Sequence, residues 1–182
     1  MKHPNPFLLL FPFAASIFIT SCAVPEVPRR EPFREAEFAW AGHSGNGAVE
    51  GRAFTELKNG EIWYSNNDVV TFFPVNAYTT EGIRRLYENG ENIGYADDRA
   101  GPYLRGIRTD SQGYFSLHGL PPGEYYVGTT IDYSYWYWND DGTKNTVKKF
   151  QYIYATITVR NGQTTHINSW NQGAAKLRGW PY

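Results

Sequence analysis

Residues 109–127 read Thr109-Asp110-Ser111-Gln112-Gly113-Tyr114-Phe115-Ser116-Leu117-His118-Gly119-Leu120-Pro121-Pro122-Gly123-Glu124-Tyr125-Tyr126-Val127. Asp110 and Gly113 predict a tight turn, because Asp side chains bond nearby backbone N–H groups and Gly accepts a positive φ. Phe115 and Leu117 alternate with other residues, so both point to one face of a strand. The Pro-Pro-Gly sequence then reverses the chain. The stretch therefore predicts two strands joined by a β-arch or a hairpin.

Similar strand signals continue on both sides of this stretch. Short alternating or β-branched runs, separated by turn residues, predict strands at residues 49–55, 69–75, 114–117, 124–132, 152–160 and 164–170. The Asn161-Gly162 pair is typical of a type I′ turn, so we expect the last two of these strands to form a hairpin. One short helix is expected at residues 80–89, capped by Thr80 and ended by Gly90. The pattern predicts an all-β fold, an antiparallel sandwich with one short helix in a connection.

The 109–127 stretch resembles the carboxypeptidase regulatory-like domain. The hallmark of that family is T-D-x-x-G-x-F-x-(hydrophobic)-x-x-L-P-P-G-x-Y, and each of its elements is present here. The resemblance implies a seven-stranded transthyretin-like (prealbumin-like) β-sandwich. Domains of this family are mostly accessory modules, and one fold can support many functions. The resemblance therefore implies a binding module more than a particular activity.

The first 22 residues have the features of a targeting segment. Lys2 precedes an apolar stretch at residues 7–19, which is shorter than the roughly 20 residues that a spanning helix needs. The stretch predicts a signal peptide. The sequence Ile19-Thr20-Ser21-Cys22 resembles the lipobox of bacterial lipoproteins, which implies cleavage before Cys22 and its lipidation with acyl chains such as palmitate. Ala23, rather than Asp, follows the cysteine, which implies the outer membrane as the destination.

These signals divide the chain into four parts. We expect a lipoprotein signal peptide at residues 1–21, a lipidated Cys22 with a tether rich in Pro and charge at 22–45, a β-sandwich domain at 46–172 and a C-terminal tail at 173–182. The aromatic side chains of Phe33, Phe38 and Trp40 offer an alternative for the tether, since they could pack onto the domain.

Composition excludes some partners and chemistries. The chain has 17 Lys and Arg against 18 Asp and Glu, so it lacks the basic excess that binding to nucleic acid needs. It has a single Cys, and His43, His118 and His166 show no metal-ligand spacing, so we expect no metal and no cofactor.

Enzymes with prealbumin-like folds have motifs that this chain lacks. Intradiol dioxygenases bind iron through two Tyr and two His, yet residues 129–138 contain no His. Hydroxyisourate hydrolases end in Tyr-Arg-Gly-Ser, whereas this chain ends in Gly-Trp-Pro-Tyr. Metallocarboxypeptidases hold their zinc in a separate domain, for which the chain has no room. We expect no enzymatic activity, with an unfamiliar catalytic site as the alternative.

An aromatic run offers the clearest candidate for binding. The candidate ligand-binding residues are Tyr133, Tyr135, Trp136, Tyr137 and Trp138. In a strand, the tyrosines would share one face and the tryptophans the other, so both rows cannot belong to the core unless the outer row is covered. One row should be exposed, or covered by the connection at residues 91–105 or by the tether. Exposed aromatic rings stack on sugars and dock peptides.

The sequence as a whole predicts a non-enzymatic lipoprotein of the cell envelope. Its sandwich would act as a binding or assembly module, anchored to the membrane through Cys22. The alternative is a carbohydrate-binding module that resembles starch-binding domains and uses an exposed Trp/Tyr platform. The expected partners are an envelope protein or a polysaccharide.

Overall fold

The computed structural model describes residues 28–91 and 96–177. The predicted signal peptide and Cys22 lie outside these residues. The elements are α1 Glu35–Phe38, a 3₁₀ turn Ala39–Gly42, β1 Gly47–Arg52, β2 Phe54–Glu56, β3 Ile62–Tyr64, β4 Val69–Pro74, α2 Ala77–Gly82, a π-helix Ile83–Glu88, a 3₁₀ turn Asp98–Tyr103, β5 Arg105–Arg108, β6 Tyr114–Leu120, β7 Gly123–Trp138, β8 Lys144–Val159, β9 Thr164–Ile167 and β10 Asn171–Leu177. Among the helices of this described part, none is both long and apolar enough to cross a membrane.

The strands form a sandwich, which confirms the predicted all-β class. A five-stranded sheet has the order β10-β8-β7-β4-β5, a three-stranded sheet has the order β6-β1-β9, and β2 and β3 form a separate hairpin. Within residues 28–91 and 96–177 there are ten strands rather than seven. The β1–β9 pair is parallel, a departure from the antiparallel arrangement that was predicted.

The core lies between the two larger sheets. Alternate residues of β7 and β8 point inward, and the fully buried side chains include Tyr125, Val127, Ile131, Ile153 and Val159. The opposing sheet supplies Val49 from β1 and Leu120 from β6, and β4 supplies Phe72. The apolar residues that alternate along the sequence of β7 and β8 are thus the ones whose side chains form this core.

The stretch at residues 109–127 forms an arch rather than a hairpin, because β6 and β7 belong to different sheets. Before β6, the Asp110 carboxylate accepts hydrogen bonds from the N–H groups of Gln112 at 2.8 Å and Tyr114 at 2.9 Å, and Gly113 has a φ of +83°. After β6, the buried Tyr125 hydroxyl donates to the Pro121 carbonyl at 3.0 Å, and burial raises the pKa of Tyr125 to about 12.

The predicted hairpin at Asn161-Gly162 is wrong. Strand β9 pairs with β1 of the three-stranded sheet, so the chain crosses between sheets after β8. A type I′ turn needs a positive φ at both central residues, but of these two only Gly162 has one, at +67°. The Gln163 N–H donates to the Arg160 carbonyl at 3.2 Å, which closes a turn that does not return the chain along β8.

The predicted helix at residues 80–89 begins earlier than expected. Asn76 is its N-cap, since its side chain accepts from the Thr79 N–H at 3.0 Å while its own N–H donates to the Thr79 hydroxyl at 3.1 Å. Thr80, the predicted cap, lies inside α2 instead. The helix continues as the π-helix Ile83–Glu88 and ends near Gly90, whose φ is +64°.

Residues next to the predicted domain boundaries belong to the folded body. Phe38 is fully buried, with its ring centroid 5.6 Å from that of Tyr103 and 6.0 Å from that of Tyr78, and Trp40 packs edge-on against Tyr125 at 5.2 Å. This is the alternative in which tether aromatics pack onto the domain. At the other end, β10 includes residues assigned to the tail and pairs antiparallel with β8.

Candidate functional site

Strands β7 and β8 extend beyond the sheet to which they belong. They pair with each other along 16 residues each, from Gly123–Val159 to Trp138–Lys144. On one side β4 pairs with β7 only from Tyr125 to Gly128, and on the other side the described part of β10, which ends at residue 177, pairs with β8 as far as Lys149. Among the described residues, 134–138 and 144–148 therefore form a two-stranded ribbon, which we call the arm.

The arm carries most of the predicted aromatic residues, and it exposes them on both faces. Tyr133 is 8% exposed and contacts Trp63 of β3, so it belongs to the body of the domain. Beyond it, the exposed fractions are 39% for Tyr135, 56% for Trp136, 45% for Tyr137 and 61% for Trp138. The prediction foresaw one exposed or covered row, whereas the structure leaves both rows open.

Each face of the arm combines aromatic rings with a lysine. Trp136 and Trp138 lie on one face, with ring centroids 6.0 Å apart and ring planes at 81°. On this face the Lys144 ammonium lies 4.5 Å from the Trp136 ring centroid. On the other face Lys149, which directly follows the arm, lies 5.3 Å from the Tyr135 ring centroid. Such cation–π contacts help to hold exposed rings in place.

The end of the arm is a closed turn at residues 139–143. The Asn139 amide donates to the Thr143 hydroxyl at 2.7 Å, and the Asp141 carboxylate accepts from the Thr143 N–H at 2.9 Å and from its hydroxyl at 2.6 Å. These bonds from Thr143 lower the pKa of Asp141. Gly142 has a φ of +77°, the left-handed conformation that favours glycine.

A second candidate surface, which the sequence reasoning missed, lies on the outer face of the three-stranded sheet. A groove of about 560 Å³ runs across it. Two rows of side chains cross this face. One consists of Ser116, Glu50 and His166, which are in register, and the next has Tyr114 and Arg52 in register, with Asn168 after the end of β9 lining the groove beside them. The one available signal was the alternation of Glu50 and Arg52 around Gly51.

Contacts within the first row link its polar groups. The Glu50 carboxylate lies 3.8 Å from the His166 ring nitrogen and 3.5 Å from the Ser116 hydroxyl. The same hydroxyl lies 3.0 Å from Nε2 of His118. His43, His118 and His166 are all exposed. In the described part of the chain, no group of three or more His, Cys, Asp or Glu residues could hold a metal ion.

Comparisons with known proteins bear on the fold. No protein-family model matches the chain. No curated protein matches it either. Among solved structures, the chain is similar to a protein from Pseudomonas aeruginosa described as a "putative carbohydrate binding protein", with a TM-score of 0.64 and 22% sequence identity over 75% of this chain and 96% of that one. The chain thus shares its β-sandwich fold with that protein.

Proposed function

We propose that this chain is a non-enzymatic carbohydrate-binding lipoprotein of the bacterial cell envelope, and that the arm contacts the sugar. The observation that carries the proposal is the exposure of Trp136 and Trp138 on a ribbon that extends beyond the sandwich. We further propose that the domain is of the carboxypeptidase regulatory-like type, on the basis of the turn and arch at residues 109–127.

The chemistry of the arm suits a sugar. Indole and phenol rings stack on the apolar faces of pyranose rings, and polar groups beside them bond to the hydroxyls. Thr146 lies opposite Trp136 on the same face, and Asn145 lies opposite Tyr137 on the other. Each aromatic face thus has a hydrogen-bonding side chain next to it. Because aromatic rings are exposed on both faces, the arm could insert between polymer chains.

The similar fold of the Pseudomonas aeruginosa protein supports the same class of ligand, since that protein is described as a "putative carbohydrate binding protein". A protein partner is the second candidate, because Tyr and Trp are also enriched at protein interfaces. The two candidates differ in what the arm should bind, which is a polysaccharide in the first and an envelope protein in the second.

The proposed anchor is the lipidated Cys22, and the proposed site is the outer membrane. The motif at residues 19–22 supports the anchor, and Ala23 after the cysteine supports the outer membrane. A Cys22→Ser variant should leave the membrane fraction for the soluble fraction of the cell envelope, as followed by fractionation and immunoblotting. Retention of this variant in the membrane would contradict the lipid anchor.

Affinity electrophoresis of the full-length protein in detergent tests the binding function. Gels cast with a neutral glucan, such as soluble starch, and with an acidic polysaccharide should retard the wild-type protein. The double variant Trp136→Ala/Trp138→Ala should lose most of this retardation. The matched control is Ile62→Ala, because Ile62 is an exposed apolar residue of β3 that is 46% exposed and lies outside the arm.

The outcomes separate the candidates. Retardation that depends on the two tryptophans but not on Ile62 supports sugar binding by the arm. Equal migration of the wild type in gels with and without each polysaccharide contradicts it. In that case, cross-linking of the wild type to an envelope protein, lost in the double variant, would support docking to protein instead.

A further inference from the structure

The groove on the three-stranded sheet has the composition of a polar ligand site. Its two rows place Tyr114, Arg52 and Asn168 beside Ser116, Glu50 and His166. All six residues carry a hydrogen-bonding group, and Tyr114 adds an aromatic ring that is 50% exposed. The inward-facing neighbours Phe115 and Ile167 are buried, so the groove rests on the core.

Arg52 is held in a fixed position within this groove. Its guanidinium carbon lies 3.9 Å from the ring centroid of Tyr64 and 4.6 Å from that of Tyr114, so two tyrosines stack on it. Its Nε donates to the Gln112 carbonyl at 2.8 Å. Among the described residues, none accepts a hydrogen bond from either Nη group of Arg52. A planar donor pair is thus held in place and available to a ligand.

A guanidinium presented in this way matches a carboxylate. Arg binds carboxylates through two parallel N–H···O bonds, and a side chain already immobilised by stacking loses little further entropy on binding. Glu50 lies next to Arg52 on the same face of β1 and can accept hydrogen bonds from hydroxyl groups. Its charge disfavours a second carboxylate there. The groove therefore suits a ligand with one carboxylate and several hydroxyls.

We infer that this groove binds a uronic acid residue of an acidic polysaccharide, with Arg52 bonding to the carboxylate and Glu50 and Asn168 bonding to hydroxyls. The inference rests on the proposed function for the class of ligand, but its site is separate from the arm. The arm would then contact sugar rings of many kinds, while the groove would select those that carry an acid.

The test compares two polymers of the same backbone. Polygalacturonate and its carboxyl-reduced, neutral form are titrated against the full-length protein. The wild type should bind the acidic form at least about tenfold more tightly, the size expected for a hydrogen-bonded ion pair. Arg52→Gln should abolish this preference, so that this variant binds the acidic and the neutral polymer with equal affinity. Arg108→Gln is the control, because it removes the same charge from an exposed position on β5.

Several results would overturn the inference. One is equal affinity of the wild type for the two polymers, which needs no variant and so cannot be confused with misfolding of Arg52→Gln. Another is an equal loss of preference in Arg108→Gln, since this would show an effect of net charge alone. A peptide with a free terminal carboxylate that competes fully with polygalacturonate would also overturn it.

The arm variant keeps the two proposals apart. If Trp136→Ala/Trp138→Ala binds the neutral polymer as the wild type does, while the acid preference still depends on Arg52, the proposed role of the arm fails and the groove stands. If instead the double variant loses the neutral polymer and Arg52→Gln keeps the acid preference, the groove fails and the arm stands.

Discussion

The β7–β8 hairpin has two parts with the same backbone pairing but opposite surroundings. We call residues 123–133 and 149–159 the lower half, and the arm with its turn the upper half. In the lower half, inward side chains such as Ile131 and Ile153 are fully buried. In the upper half, which is the arm, Trp136 and Trp138 are more than half exposed. The register continues without a break between the halves, so the backbone does not cause the difference.

The difference lies in what covers each half. The lower half is covered on its inner face by the three-stranded sheet and by Trp63 of β3. On its outer face Tyr87 of the π-helix packs against Tyr152, with ring centroids 5.0 Å apart. Burial of Tyr87 there raises its pKa. The arm extends past both covers, so its aromatic residues remain available for a ligand.

The largest expected effect distinguishes the two halves directly. Ile131→Ala, in the lower half, should reduce the free energy of unfolding by about 4 kcal/mol, because a buried Ile leaves both lost apolar contact and a cavity. Tyr135→Ala, in the arm, should change it by no more than about 0.5 kcal/mol, as is usual for exposed positions. Urea denaturation of both variants measures the difference. Equal losses would show that the arm is part of the core.

Sequence reasoning succeeded where a structural property depends on neighbours along the chain. The Asp110 turn, the Pro-Pro-Gly reversal and the alternation of β7 and β8 are local, and they predicted the sandwich. The partner of β9 was missed because the parallel pairing with β1 joins residues more than 100 positions apart, for example Glu50 and His166. The groove was missed for the same reason, since its rows exist only once that register is known.

The arm was predicted only in part, because its exposure depends on other elements. The aromatic residues of the run at 133–138 were identified as candidates from the sequence. However, whether they are covered depends on where β4 and β10 stop pairing, and on the position of β3. No local pattern in the run itself carries this information. It is why Tyr133 is buried while Tyr135, two residues later, is exposed.

A second prediction concerns the cover of the lower half. The buried Glu81 carboxylate accepts from the N–H groups of Arg30 and Glu31 and from the Arg85 guanidinium, and so ties α2 and the π-helix to residues 30 and 31. Glu81→Gln should reduce the free energy of unfolding by about 3 kcal/mol, because it weakens the charge-assisted bonds from the Arg30 and Glu31 N–H groups and removes one of the two carboxylates that pair with the buried Arg85, the other being Glu91. The exposed Glu56→Gln should have little effect and serves as the control.

Glu81 should also make the stability of the fold depend on pH. Burial by itself raises the pKa of Glu81. The hydrogen bonds from the Glu31 and Arg30 N–H groups and from the Arg85 guanidinium lower it by more, so the pKa falls from 4.5 to about 2. A lowered pKa stabilises the fold at pH values above 4.5, and this contribution is lost as the pH falls toward 2. Wild-type stability should therefore fall more steeply over this range than that of Glu81→Gln. Parallel curves for the two proteins would contradict the role of Glu81.

The smallest predicted effects come from two glycines, one in each half. A Cβ on Gly128 would lie 2.7 Å from the Tyr87 hydroxyl, so Gly128→Ala must displace a buried ring and should cost about 2 kcal/mol. A Cβ on Gly142, in the turn of the arm, would meet no atom within 4 Å, but its φ of +77° is strained for alanine and should cost about 1 kcal/mol.

The two glycine variants should also differ in the property that they change, which is the packing of tyrosines in one and polysaccharide binding in the other. Gly128→Ala should change the near-ultraviolet circular dichroism of the packed tyrosines and leave polysaccharide binding intact, since the arm does not touch Tyr87. Gly142→Ala should reduce the free energy of polysaccharide binding by more than it reduces the free energy of unfolding, because the turn holds the two strands of the arm together. If Gly128→Ala instead weakened binding as much as Gly142→Ala, the cover and the arm would be coupled, and the hairpin would act as one unit rather than two.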